Sequence, residues 1–201
     1  MPTLIPAIRS FIETVIVVDD GSTDDTAAVA ERAGAFVIRH GENLGKGAAL
    51  KAGLSWALAN GFAFAIMLDG DGQHDPAELP QFIAAMKRGG VDLVIGNRMN
   101  DPQAMPWLRR QVNRWMSRRL SRRVGRELPD TQCGLRLIRL SIWRELDLRT
   151  THFEIESEML LGCLAAGRTV EFIPIRTIYR NGPSKIRPIL DTLRWFRWWW
   201  R

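Results

Sequence analysis

Repeatedly through its first hundred residues the chain passes from a short β-branched apolar run into a polar, glycine-containing turn, and then into a stretch with helical spacing. Residues 15–18 lead into Asp19-Asp20-Gly21-Ser22-Thr23-Asp24 and an alanine-rich helix closed by Gly34. Residues 36–38 precede Asn43-Leu44-Gly45-Lys46-Gly47 and a helix over 48–60, with Leu50, Leu54 and Leu58 on one face. Residues 62–68 precede Asp69-Gly70-Asp71-Gly72-Gln73-His74-Asp75-Pro76 and a helix over 76–88; residues 91–95 end in Gly96-Asn97-Arg98. This alternation predicts an α/β fold with an open, mainly parallel sheet flanked by helices, whose ligands gather at the carboxyl ends of the strands. Three polar clusters fall at such ends: 19–24, 69–73 and 96–98.

The second cluster carries the clearest chemistry. Asp69 and Asp71, two residues apart at the end of a buried strand, point the same way. With the amide oxygen of Gln73 they offer hard oxygen donors on one side of a cation, which suits Mg2+ or Mn2+ held jointly with a diphosphate. An EF-hand loop would need Gly and Glu where this chain has His74 and Pro80. A helix start with Asp75 as N-cap, Pro76 at the first position and Glu78 closing a capping box accounts for 75–78, but not for the two preceding acids. An acid of the 19–24 cluster suits a base N–H or ribose hydroxyls. Lys46 at a helix start suits phosphate or ribose, although the spacing is not that of a P-loop and a surface lysine reads equally well.

With 201 residues, 46% of them hydrophobic, the chain is expected to form one domain, residues 1–187, with a Trp/Arg-rich segment at 188–201. Cys133 and Cys163 have no metal-binding spacing and read as reduced thiols. No leader-like start and no apolar run of about 18 residues is present, so a cytoplasmic location is expected. Charge is unevenly divided. Residues 1–104 carry eight basic against thirteen acidic side chains, net −5, and residues 105–201 carry twenty against nine, net +11. The basic half suits a phosphorylated acceptor, a membrane surface or a nucleic acid.

Between residues 105 and 126 there are eight arginines and no acid. Arg110, Arg114, Arg118 and Arg122 follow i, i+4 spacing, beside a stripe of Leu108, Val112, Trp115, Met116, Leu120 and Val124. This predicts a basic amphipathic helix at a bilayer interface, or a solvated cationic face over an ordinary core stripe. No nucleic-acid module accompanies the arginines, so no nucleic acid is expected as partner. The run Trp195-Phe196-Arg197-Trp198-Trp199-Trp200-Arg201 reads as an interfacial anchor, with a docked C-terminal helix as the alternative.

In this order, residues 17–24, 43–47 and 69–76 and the later Asp130-Thr131-Gln132-Cys133-Gly134-Leu135-Arg136 resemble the family 2 glycosyltransferases of the GT-A fold. The resemblance is strongest to the branch of dolichyl-phosphate mannosyltransferase and bacterial polyprenyl-phosphate glycosyltransferases, and it runs from about residue 14 to 192. It implies metal-dependent, inverting transfer of a hexose from a UDP- or GDP-sugar to a polyprenyl or dolichyl phosphate, by a protein peripheral to the inner membrane face. By resemblance Asp19, Asp20, Ser22, Lys46, Asp69 and Gly70 serve the nucleotide, and Asp69, Asp71 and Gln73 the Mg2+ or Mn2+. Asp71 and Glu156 are the catalytic acids, Glu156 facing the acceptor, although an acidic first helical turn explains Glu156 nearly as well. Ser184 and Lys185 match the acceptor-side segment; Arg98 and Arg110 are expected to hold the acceptor phosphate with them. Two alternatives remain open: transfer to a saccharide or protein hydroxyl with Glu156 as base, and a non-catalytic remnant binding membrane or nucleic acid.

The departure from the family lies at the front. Its members begin with a strand and a helix before the Val-Asp-Asp strand, but here only residues 8–14 follow a Leu4-Ile5-Pro6-Ala7 turn, and a parallel crossover needs on the order of 10–12. Residues 5–13 are therefore expected to be the remnant of the helix, with a strand missing from the sheet.

Overall fold

The computed structural model describes residues 2–100, 105–178 and 188–200. In chain order the elements are α1 (Leu4–Arg9), β1 (Ile16–Asp20), α2 (Thr26–Arg32), β2 (Phe36–His40), α3 (Lys46–Ala59), β3 (Phe64–Met67), α4 (Leu79–Arg88) and β4 (Leu93–Asn97). There follow α5 (Trp107–Val124), β5 (Arg136–Arg139), α6 (Leu140–Trp143), α7 (Ile155–Ala165), β6 (Val170–Pro174) and α8 (Pro188–Trp199). The α/β alternation holds, but the strands form two sheets. β1 pairs in parallel with β2, and a four-stranded sheet has the order β3-β5-β4-β6. β6 runs parallel to β4, whereas β5 lies antiparallel between β3 and β4. Sequence reading missed β5 because Arg136 and Arg139 interrupt its apolar pattern. Arg136 is nonetheless buried, and Arg139 covers the ring of Phe64 while bonding Asp92.

The core follows from which strands are covered on both faces. Every residue of β4 is buried, as expected for a strand that reads as a continuous apolar run. β5 sits beside it with Leu137 and Ile138 fully buried. Residues 16–18 of β1 and 64–66 of β3, by contrast, are only partly buried. Cys133 and Cys163 are free and buried, and burial pushes both thiols up to about 12.

Two expectations about the basic half change. In α5 the buried residues are Asn113, Met116, Ser117 and Leu120, so the inward face is partly polar; Ser117 and Thr131 exchange a 3.2 Å hydrogen bond. Leu108, expected in the apolar stripe, is 63% exposed beside Trp107 at 66%. α8 is docked on the core, the arrangement that the sequence offered as the alternative to an interfacial anchor. Trp195 is buried, donates from Nε1 to Ser157 Oγ, stacks on Trp199 and meets Trp115 edge-on, whereas Trp200 is exposed. Among the described residues no helix is long and apolar enough to cross a membrane.

Candidate active site

The site forms where the carboxyl ends of β1 and β3 meet the start of α3 and of α7. Gly45 and Gly47 bring α3 there. A Cβ on Gly45 would lie 2.5 Å from the Thr151 carbonyl oxygen, and one on Gly47 2.6 Å from the Thr151 carbonyl carbon, so only glycine permits this approach. The N–H groups of Gly47 and Ala48 donate to Thr151 O, so this helix start is not an open phosphate cradle. Its contribution is the side chain between the glycines. Lys46 Nζ lies 2.6 Å from both Asp69 Oδ1 and Glu156 Oε1, and 5.4 Å from the centre of the Phe153 ring. Burial alone would lower the Lys46 pKa, but the two carboxylates outweigh it and the ammonium is held above its usual range. Asp69 responds in reverse. Burial disfavours its charge, yet Lys46 and then His74 hold the carboxyl below the usual range.

The segment 130–136 is the keystone of this arrangement. Asp130, fully buried, accepts from Arg98 Nε at 2.7 Å, Arg98 Nη2 at 2.9 Å and the Arg98 backbone N–H. Gly134 makes room for Asp69, since a Cβ there would lie 2.5 Å from Asp69 Oδ2. Arg136 donates to the carbonyls of Thr131, Cys133 and Glu156, and Gln132 donates to Ser157 Oγ, so the start of α7 is pinned to this loop. Glu156 thereby reaches Lys46.

The predicted residues divide into those that this geometry brings together and those that it employs elsewhere. Lys46, Asp69 and Glu156 converge, and Gly70 lies exposed beside Asp69. Asp71 is exposed at the mouth, with Oδ1 accepting from the Gln73 N–H, while Gln73 Oε1 accepts from Arg109, a residue that sequence reading missed. Asp20 is a loop clasp: Oδ1 lies 2.7 Å from His40 Nδ1 and accepts from Leu44 N–H, and Oδ2 accepts from Gly45 N–H. Burial raises its pKa, but His40 and the two N–H groups prevail, leaving it below the usual value. Asp19 is buried and accepts from the N–H of Ser22, which is itself exposed.

Arg98, expected to hold the acceptor phosphate, is 4% exposed and its guanidinium pairs with Asp130 inside the fold. Arg110, in the first turns of α5, has a buried Nε with no hydrogen-bond partner among the described residues. Ser184 and Lys185 lie outside the described residues. The N-cap at Asp75 is present, accepting from Ala77 N–H, but Glu78 does not close a capping box; its carboxylate takes the N–H of Arg176.

Among the described residues no three His, Cys, Asp or Glu side chains come together as a metal site. The chemistry of Asp69, Asp71 and Gln73 still fits a hard divalent cation, since all three present oxygen and two are anionic. A nearby polar reserve exists as well. His74 is buried 3.7 Å from Asp69 Oδ2, and its Nδ1 has no partner among the described residues.

Fold and site together define an α/β protein with an acidic, lysine-centred pocket at the carboxyl ends of its strands. The sequence model described as glycosyl transferase family 2 matches residues 2–147, and the chain belongs to that family. It is 31% identical over 195 residues to the dodecaprenyl-phosphate galacturonate synthase of Rhizobium johnstonii, covering 89% of this chain and 55% of that protein. It is 28% identical to the undecaprenyl-phosphate mannosyltransferase of Micrococcus luteus, covering 90% of this chain and 81% of the relative. The chain thus spans from about half to four fifths of the length of these relatives. Among solved structures, glucosyl-3-phosphoglycerate synthase from Mycobacterium tuberculosis, in complex with Mn2+, UDP and glucosyl-3-phosphoglycerate, superposes with a TM-score of 0.69. That likeness covers 95% of this chain and 68% of the other at 20% identity, and it supports the GT-A type of fold.

Proposed function

We propose that this chain carries the donor site of a glycosyltransferase that moves a hexose from a UDP- or GDP-sugar to a polyprenyl phosphate at the inner face of the membrane. The observation that carries this reading is the Asp69–Lys46–Glu156 cluster, which sets a metal-suited carboxylate and an acceptor-side carboxylate on one ammonium. Glu156 Oε1 is engaged by Lys46, and this reading does not call on Glu156 as a general base. A phosphate monoester does not need one, because its second pKa is about 6 and an oxygen is already anionic at neutral pH. The acceptors in the names of the two relatives are of that kind. The buried Nε of Arg110, without a hydrogen-bond partner among the described residues, supports a role in holding the acceptor phosphate. Exposed Trp107 and Leu108 at the start of the arginine-rich helix support a membrane-facing surface.

Asp69, Asp71 and Gln73 would hold a divalent cation, which would supply neutralising charge for the departing nucleoside diphosphate. The chain's own residues position the reactants. Lys46 fixes Asp69 against Glu156, and the 130–136 loop fixes Glu156 in turn. The acceptor oxygen forms its bond to the anomeric carbon as the bond to the diphosphate breaks, its electron pair leaving with the diphosphate, so the configuration inverts.

The test is transfer of radiolabelled hexose from UDP- and GDP-sugars to undecaprenyl phosphate in vesicles, with Glu156→Gln in parallel. Transfer to the lipid with one nucleotide class, and most of it kept by the variant, is expected. Transfer only to a saccharide or protein hydroxyl, abolished in the variant, would replace the phosphate acceptor. Gly134→Ala supplies a second test: the added methyl displaces the Asp69 carboxylate, so Mn2+-dependent affinity for UDP or GDP should fall by about 10–100-fold. Calorimetric titration reads the effect, and an unchanged affinity would remove Asp69 from the site.

A further inference from the structure

His74 directly follows Gln73 in the sequence, and the fold turns it inward. It is 4% exposed, with Nε2 3.7 Å from Asp69 Oδ2, while Nδ1 is buried without a hydrogen-bond partner among the described residues. The chain leaving β6 crosses this loop. Ile178 N–H donates to Gln73 O, and Thr177 faces His74 in an isolated antiparallel bridge. Residues opposite one another in such a bridge carry their side chains on the same face. The crossing segment is held from the side as well, Arg176 N–H donating to Glu78 and Gln81 Nε2 to Pro174 O. Thr177 Oγ1 is likewise buried and without a partner among the described residues. Two facing residues thus present unpaired, buried polar atoms beside the carboxylate that Lys46 holds by its other oxygen.

The chemistry of the imidazole decides how these atoms are used. An ionised carboxylate only accepts, so the ring nitrogen facing Asp69 donates, and in a neutral ring the other nitrogen then accepts. Nδ1 therefore calls for a donor, and buried polar groups ordinarily have a partner. The Thr177 hydroxyl is set opposite, and a water can complete a pair of buried polar groups of this kind. We propose that His74 and Thr177 are positioning residues for Asp69: the Thr177 hydroxyl donates to a buried water, the water donates to His74 Nδ1, and His74 Nε2–H donates to Asp69 Oδ2. Engaging Nδ1 turns the ring so that the 3.7 Å separation closes to hydrogen-bond length. With Lys46 on Oδ1 and His74 on Oδ2, the plane of the carboxylate is fixed, and each oxygen keeps a lone pair for a cation. This role rests on the donor-site reading of Asp69 given above.

Nitrogen-15 NMR of the full chain at about pH 8, without metal or nucleotide, reads the relay directly. The proton is expected on His74 Nε2, with Nδ1 as a hydrogen-bonded acceptor. Thr177→Val should move the Nδ1 resonance downfield to that of a bare imine nitrogen, and Thr177→Ser should restore it. A proton on Nδ1, or an Nδ1 resonance that Thr177→Val leaves in place, would overturn the proposal. Calorimetric titration with Mn2+ and UDP or GDP reads the consequence. His74→Asn, whose amide stops short of Asp69, should weaken nucleotide binding by about 10–100-fold, whereas His74→Gln, which carries an N–H to the place of Nε2, should keep most of the affinity. Equal loss in both variants, or none in His74→Asn, would overturn the role of His74 and leave the donor site standing. A wild type that binds neither nucleotide with Mn2+ would overturn the donor-site reading and the positioning role with it, whatever the resonances show.

Discussion

Asp130→Asn is expected to lower the stability of the fold by about 3–5 kcal/mol, the usual cost of removing one partner of a buried ion pair. The carboxylate is fully buried and accepts two side-chain bonds and one backbone bond from Arg98, with a further one from Gln132 N–H. The amide cannot balance the guanidinium charge, and Arg98 is too enclosed for water to do so. Burial works against the Asp130 charge, but Arg98 outweighs it and the carboxyl titrates below its ordinary value. A folded-state pKa below the unfolded one gives stabilisation that is present above pH of about 4 and lost as pH falls through the folded value. Urea denaturation at pH 7 should separate wild type from variant by the stated amount, and the gap should narrow on acidification. Replacing both partners, Arg98→Met with Asp130→Leu, should recover much of the loss. A single variant within about 1 kcal/mol of wild type at pH 7 would refute the assignment of this pair as a structural anchor.

Asp69→Asn is expected to reduce hexose transfer by at least about 100-fold, the scale on which preorganised charge stabilisation acts. The substitution removes the anion that pairs with Lys46 and one of the two carboxylates suited to the cation. It keeps the size of the side chain beside Gly134, so the packing there changes little. The companion Asp71→Asn touches only an exposed acid whose described bond is to Gln73 N–H. Both variants should lose the thermal stabilisation that Mn2+ with UDP or GDP confers on the wild type, and Asp69→Asn alone should also leave Lys46 with Glu156 as its one anionic partner in the cluster. Full retention of that stabilisation by both would place the cation elsewhere.

The sequence by itself determined the alternation of strands and helices, and therefore that the acids of 19–24 and 69–73 emerge at strand ends. Periodicity and turn chemistry are local, and a β-branched run followed by Asp and Gly needs no distant partner to be read. The spacing of Asp69, Asp71 and Gln73 after a strand was legible for the same reason. Membership of the family was carried by motifs, including 130–136, whose physical work the sequence did not disclose.

Tertiary structure decided the rest, because it concerns which distant groups share a charge or a space. That Lys46 bridges Asp69 and Glu156 depends on Gly45 and Gly47 pressing α3 against Thr151, and on Arg136 pinning α7. That Arg98 turns inward depends on a carboxylate 32 residues away. β5 escaped prediction because its two arginines find carbonyls, Asp92 and an aromatic face inside the protein, partners that no window of sequence contains. The split between β1 and β3 was foreseen as a gap, but its apolar walls and its opening toward Lys46 and Asp69 emerged only when α1 and α3 were placed on opposite faces of β1.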